Sequence, residues 1–153
     1  METIIIRKAN LADLKNLLIF EQRIIEAERP YDPTLKHENI NYYDLEKMIV
    51  ATDTEIIVAE IDSEIVSSGY ARIEVTQPYL KHVSYAYLGF MFTEDRFRGK
   101  GVNSKIIDAL IQWCKIKNIF EIRLDVYHQN ASAIQAYEKA GFSKHLVNMR
   151  MAL

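Results

Sequence analysis

Leu88-Gly89-Phe90-Met91-Phe92-Thr93-Glu94-Asp95-Arg96-Phe97-Arg98-Gly99-Lys100-Gly101-Val102-Asn103-Ser104 is the stretch whose reading decides the fold. An apolar run (Leu88, Phe90, Met91, Phe92) enters it. A helical pattern leaves it: Val102, Ile106, Leu110 and Cys114 recur at i, i+4, with Ile107 and Ile111 beside them. Between lie two glycines and three cations, Arg96, Arg98 and Lys100. A strand that turns through glycine into a helix leaves the first N–H groups without partners. It aims them, with the helix dipole, at whatever occupies the turn. Glycine also lets the backbone approach a phosphate with no Cβ in the way. The stretch reads as strand, anion cradle and helix, and the cradle suits a pyrophosphate.

Working outward, 153 residues suffice for one domain with a real core. The chain is 49% apolar and 26% charged, which is ordinary globular composition. A net charge of −2 gives no basic excess for nucleic acid. One cysteine, Cys114, excludes an internal disulfide and suits a reducing, cytoplasmic compartment. On its helical stripe it reads as a small buried apolar residue. The first residues carry three isoleucines without a basic region or a long apolar core, so they read as a strand and not as a signal peptide. No apolar run is long enough to span a membrane. Four histidines and one cysteine show no ligand spacing, so no metal is expected.

Residues 3–7 predict a strand, and Asn10 with Asp13 predicts a capped helix over 10–28. Glu21 and Glu28 fall on its apolar stripe (Leu14, Leu17, Leu18, Ile24, Ile25). They either flank the core and reach solvent or carry the stripe into a cleft. Pro30 and Pro33 end the helix, and a second helix is expected over 38–50. Strands follow at 56–61, 65–75 and 83–93 with short turns between them, an antiparallel meander. Beyond the cradle helix come a strand at 119–127, a helix over 131–140 capped by Asn130 and stopped by Gly141, and a last strand at 144–153. This is an α+β fold: a mostly antiparallel twisted sheet with one parallel β-α-β crossover and helices on both faces.

Three features stand in register: Arg98-x-x-Gly101 at the turn, Asn130 29 residues later, and Tyr137 seven further on, in Tyr137-Glu138-Lys139-Ala140-Gly141-Phe142. In that order, and over essentially the whole chain, the sequence resembles the GNAT superfamily of acyl-coenzyme A N-acyltransferases. The family's cradle is Gln/Arg-x-x-Gly-x-Gly/Ala. Here Asn103 replaces its last small residue, and Asp95 the frequent proline before it. The resemblance implies one domain over 1–153 with acetyl-coenzyme A as cosubstrate. It implies Arg98 and the backbone of Gly99, Lys100, Gly101, Val102, Asn103 and Ser104 on the pyrophosphate. Met91, Phe92 and Thr93 would pair with the pantetheine amides, with Asn130 on the same arm. Tyr137 would protonate the leaving sulfur, and the Thr93 N–H would polarise the carbonyl. Asp125, five residues before Asn130, stands where related peptide N-terminal acetyltransferases carry a glutamate base. Being one methylene shorter, it would work through water.

The implied reaction moves an acetyl group to a primary amine by direct attack in a ternary complex. Glu21, Glu28, Tyr31 and Glu74, with Asp32, Tyr42 and Tyr43, make the acceptor side acidic and aromatic. That suits a small cationic amine or an amino acid, with a peptide N-terminus still open. Glu74, Glu21 and Glu28 compete with Asp125 as base. An idle module that binds acyl-coenzyme A as a sensor is the alternative to an enzyme. A dinucleotide fingerprint would need glycine at Ser104, and no Gly-x-x-x-x-Gly-Lys-Ser/Thr run occurs. The short segment after Phe142 reduces the family's last hairpin to one strand, whose open edge could pair two subunits in a homodimer.

Overall fold

The β-branched side chains near the start of the chain build strand β1 (Ile5–Lys8) in a computed structural model that describes residues 3–153. Met1 and Glu2, the first residues of the reading against a signal peptide, lie outside the described residues. The predicted cap forms: Asn10 Oδ1 accepts the Ala12 N–H, and Asp13 Oδ2 accepts the Asn10 N–H. Arg7 grips the same carboxylate at 2.8 and 2.9 Å, and that pairing holds Asp13 below the usual carboxylate range. The single turn Leu11–Asp13 then runs into α1 (Leu14–Glu28).

Helix α2 spans only Leu45–Val50, shorter than the sequence predicts. The cause lies in α1. Glu21 is fully buried, and its Oε2 accepts the N–H groups of Tyr42 at 2.8 Å and Tyr43 at 2.7 Å. Those amides are held in a loop, and Asp44 caps the helix by accepting the Lys47 N–H.

The meander follows as β2 (Thr54–Ile61), β3 (Glu64–Val75) and β4 (Ser84–Thr93). Its first turn places Asp62 and Ser63 at φ +51° and +67°, as a two-residue hairpin requires. A short turn (Asp95–Phe97) and the glycine loop lead into α3 (Val102–Ile116). Then come β5 (Ile122–Arg123) and α4 (Ala131–Lys139). The sheet order is β1-β2-β3-β4-β5, antiparallel throughout except for the parallel β4–β5 pair. On one face Val102, Ile106 and Leu110 of α3 pack on Ile57, Ala59, Ala86 and Leu88. On the other, Leu17 and Phe20 of α1 and Leu45 and Ile49 of α2 pack on Val58, Tyr70, Phe90 and Phe92.

Leu88 and Phe90 thus lie in opposite cores although two residues apart, where a regular strand would keep them on one face. A β-bulge intervenes. Phe90 is left-handed at φ +56°, and the β3–β4 register slips between Ser68 and Tyr70. Two buried hydroxyls pin it: Ser68 Oγ donates to the Phe90 carbonyl at 3.0 Å, and Ser67 Oγ to the Phe92 carbonyl at 2.7 Å.

Two expected strands are corrected. The strand over 119–127 shrinks to Ile122–Arg123, paired with Ala86 and Tyr87 only, because β4 turns away at the bulge beyond them. Residues 144–153 form no strand and are exposed throughout, because no described strand lies close enough to pair with them.

Glu21→Ala leaves two buried backbone donors without their acceptor, and each such loss costs about 1–3 kcal/mol. The variant is expected to lose about 2–4 kcal/mol of stability in urea unfolding. A change within error would mean that water replaces the carboxylate at no cost.

Candidate functional site

At the end of β4 the chain must turn tightly, and it does so through Gly99 at φ +74° and Gly101 at φ +79°. A Cβ built on either glycine meets nothing within 4 Å, so the backbone conformation demands glycine there and the space above the turn is open. Gly101 is the N-cap of α3 and makes no side-chain cap. The N–H groups of Val102, Asn103 and Ser104 therefore have no helical carbonyl behind them and face the turn. The loop is braced from outside. Arg23 of α1 bonds Glu94 at 2.6 Å and Asp95 at 3.4 Å, with its guanidinium over Phe92. Arg98 donates to the Thr93 carbonyl at 3.2 Å and pairs with Asp95 at 3.3 Å. Lys100 Nζ lies over the Phe97 ring.

Because β5 pairs only at Ala86 and Tyr87, the backbone of β4 from Leu88 to Thr93 is unpaired on that side. Met91 and Thr93 are half-buried along this edge, while the Phe92 ring is buried against Phe20, centroids 4.5 Å apart. The splay makes a cleft between the two parallel strands, and the glycine turn closes one end of it.

The far wall comes from α4. Asn130 caps it, its Oδ1 accepting from the Ala133 N–H and Ser132 Oγ, each at 3.3 Å. Tyr137 is half-buried and edge-on to Phe142, 6.0 Å between centroids. Burial, and then the charge of Glu28, push its hydroxyl up to about 12. At neutral pH Tyr137 is a proton donor.

Glu28 at the end of α1 is half-buried, and burial raises its carboxyl above the usual range. The buried Tyr42 hydroxyl stands beside it without closing a hydrogen bond of normal geometry. Tyr31 stacks on Tyr127 at 5.9 Å, and Tyr127 donates to Asp32 at 2.7 Å. Tyr87 donates to the exposed Asp125 at 3.1 Å. Glu74 is held by Arg72, whose guanidinium lies over both Tyr70 and Tyr87.

The fold therefore brings Tyr31, Tyr127 and Asp32 together, sets the charge of Glu28 within reach of Tyr137, and ties Asp125 to Tyr87. Glu21, expected with the acceptor residues, is instead wholly buried beneath the Tyr42–Tyr43 loop. Sequence reasoning missed Tyr127, Arg72 and the bulge at Phe90. The polar Ser67-Ser68-Gly69 inside an apolar strand was the one signal of that bulge. Cys114 is buried in the core and its thiol is pushed up to about 11 by burial. Among the described residues no group of three or more His, Cys, Asp or Glu side chains could hold a metal, and no helix is long and apolar enough to cross a membrane.

The model of the acetyltransferase (GNAT) family matches residues 17–142. Among solved structures, a tetramutant of the BH1408 protein from Bacillus halodurans is similar at a TM-score of 0.87 and 21% identity, over 97% of this chain and 99% of that one. A predicted acetyltransferase with acetyl-CoA from Clostridium acetobutylicum gives 0.74 and 21%, over 98% and 96%. Glucosamine-6-phosphate N-acetyltransferase from Arabidopsis thaliana gives 0.69 and 23%, over 99% of each chain. No curated protein matches.

Burial of Glu28 has a measurable consequence. The folded state keeps its proton over a pH range in which the unfolded chain has already released it. Stability from this group is thus lost as pH rises from about 4.3, the ordinary glutamate value, through the higher folded value. Glu28→Gln is expected to flatten that part of the urea midpoint–pH curve and to be no less stable than the native chain at neutral pH. A slope that survives the substitution would put the carboxylate in water.

Proposed function

The chain belongs to the GNAT acetyltransferase family, and on that premise we propose that it moves an acetyl group from acetyl-coenzyme A to a primary amine, with a small cationic amine favoured. The observation that carries this reading is the unpaired edge of β4 running straight into a glycine turn whose helix N–H groups have no partner. An extended amide-bearing arm and a pyrophosphate are what such an edge and such a turn accommodate.

Acetyl-coenzyme A supplies the acyl group already activated as a thioester. Arg98 and the N–H groups of Gly99, Lys100, Gly101, Val102, Asn103 and Ser104 would hold the pyrophosphate, with the Asn103 carboxamide as a further donor. The Met91, Phe92 and Thr93 backbone would pair with the pantetheine amides, and Asn130 would bond the same arm. Glu28, Tyr31 and Glu74, with Asp32 nearby, offer charge and ring faces to an ammonium group. Glu21 supports them by holding the Tyr42–Tyr43 loop. As the N–C bond forms and the C–S bond breaks, the ammonium nitrogen gives up two protons. One reaches the sulfur by way of Tyr137, which burial keeps protonated until then. The other passes to the Asp125 carboxylate, which accepts the Tyr87 hydroxyl, and from there to water. This reading treats residues 1–153 as one acyltransferase domain.

Thermal unfolding with acetyl-coenzyme A, then thiol release across an amine panel, tests it. A raised melting point follows if the folded chain binds the cosubstrate, and thiol release names the acceptor class. Tyr137→Phe is expected to lower kcat by about 100- to 10,000-fold, the usual worth of a positioned proton donor, with the melting shift retained. Gly101→Val is expected to abolish the shift, since a side chain enters the phosphate space and the turn is strained. No shift for the native chain would overturn the assignment, and a shift with no release for any amine would favour a sensor.

A further inference from the structure

Two arginines, Arg72 and Arg123, stand in one row across the sheet. Arg72 of β3 lies opposite Tyr87 of β4, and Tyr87 lies opposite Arg123 of β5. The row is on the face that α1 and α2 cover, since Tyr70 and Tyr87 pack into their core. Two residues along each strand, the next row on this face reads Glu74, Tyr85 and Glu121. The helices leave both rows partly open: the Arg72 and Arg123 side chains are 38 and 32% exposed.

Both guanidiniums lean inward over the central strand. Arg72 lies over the Tyr70 and Tyr87 rings, each at 5.5 Å, and Arg123 lies over the Tyr85 ring at 5.2 Å. Ring faces hold a guanidinium flat and restrict its rotamers, so little of that freedom is left to lose when a ligand binds.

Neutralising the acid row does not exhaust these donors. Glu74 and Glu121 each accept the Nε–H of the arginine on their own strand. Among the described residues Arg123 Nη1 and Nη2 make no hydrogen bond, and Arg72 Nη1 has only the Tyr70 hydroxyl at 3.5 Å. A lysine would neutralise a glutamate as well. What a guanidinium adds is a planar fork of donors, the match for a carboxylate or a phosphate.

Tyr87 fixes where such a group sits relative to the chemistry. Its ring carries the Arg72 guanidinium, and its hydroxyl donates to Asp125 at 3.1 Å. Asp125 is two residues beyond Arg123, about 7 Å along an extended chain. An anion between the arginines is therefore a few bonds from a nitrogen whose proton passes to Asp125. Glu74 and Glu121 on one side of the row and Asp125 on the other repel an anion placed elsewhere on this face.

We propose that the acceptor carries an anionic group close to its amine, a carboxylate or a phosphate, and that Arg72 and Arg123 hold that group. The proposal rests on the acyltransferase reading and narrows its primary amine to a zwitterionic one, with the ammonium at Asp125 and the anion on the arginine row.

Matched pairs of amines test it by thiol release: each α-amino acid against its amide, and amino-sugar phosphates against the free amino sugars. In at least one pair the anionic member is expected to show a kcat/KM about 10-fold above its neutral partner, the worth of a hydrogen-bonded charge. The responding pair tells carboxylate from phosphate. R72Q and R123Q are each expected to bring that ratio toward unity through KM, and R123K to restore it only in part, because lysine lacks the fork. Neutral amines used as well as their anionic partners in every pair would overturn the proposal, as would a preference that survives both substitutions. Should a variant not fold, the pairs on the native chain decide alone. If no amine releases thiol, the acyltransferase reading fails and binding decides this one. The probes are then acetate and inorganic phosphate, each compared with chloride at equal ionic strength in thermal unfolding. A rise in melting point that R72Q/R123Q abolishes supports the anion site. No rise, or a rise that survives the double substitution and so belongs to the glycine turn, overturns it.

Discussion

Phe90 at φ +56° adopts a conformation that costs an L-residue about 1–2 kcal/mol, and it does so in the middle of a sheet. It persists because Ser67 and Ser68, both fully buried, bond the carbonyls on either side of Met91, and because Gly69 and Gly89 make room. A Cβ on Gly69 would lie 2.6 Å from the Met91 sulfur, and one on Gly89 2.6 Å from the Tyr70 ring. The local strain is offset by what it achieves. β4 pairs with β5 over two residues and then leaves it, so the parallel strands diverge and their backbone groups no longer pair with each other. The glycine turn, the helix N-terminus and α4 owe their common opening to this one change of register.

Burial sets the protonation of the tyrosines on the α1 side of the sheet and beside α4. Tyr42, Tyr43, Tyr70, Tyr87, Tyr127 and Tyr137 all lie where burial raises their hydroxyl pKa, so each is held as a donor. Glu28 is lifted for the same reason. Arg72 lies across two of the rings and pairs with Glu74.

Much of the fold was legible because its cues are local. Asn10 and Asp13 cap a helix within four residues. Gly101 takes the left-handed conformation that a turn into a helix demands, and Gly141, at φ +111°, does the same at a helix end. The glycine turn and the order of Arg98, Gly101, Asn130 and Tyr137 were equally open to reading, since spacing alone puts them on successive elements. What escaped was non-local. Helix α2 starts late because Glu21, more than twenty residues earlier, takes the amides of Tyr42 and Tyr43. Tyr127 reaches Asp32, 95 residues earlier in the chain, through its hydroxyl.

The tail marks the same boundary from the other side: its alternation says strand, but a strand exists only beside another, and among the described residues no strand pairs with it. By itself, then, the sequence determined the order of the elements as far as α4, the mixed sheet and the left-handed glycine turn into α3, each written in periods and spacings a few residues long. Tertiary structure alone decided which face each β4 side chain takes, where the cleft opens and which carboxylates stand beside Tyr137. Those depend on register and on hydrogen bonds between segments far apart in the chain, and a one-residue slip in register turns a whole strand over without changing any local preference.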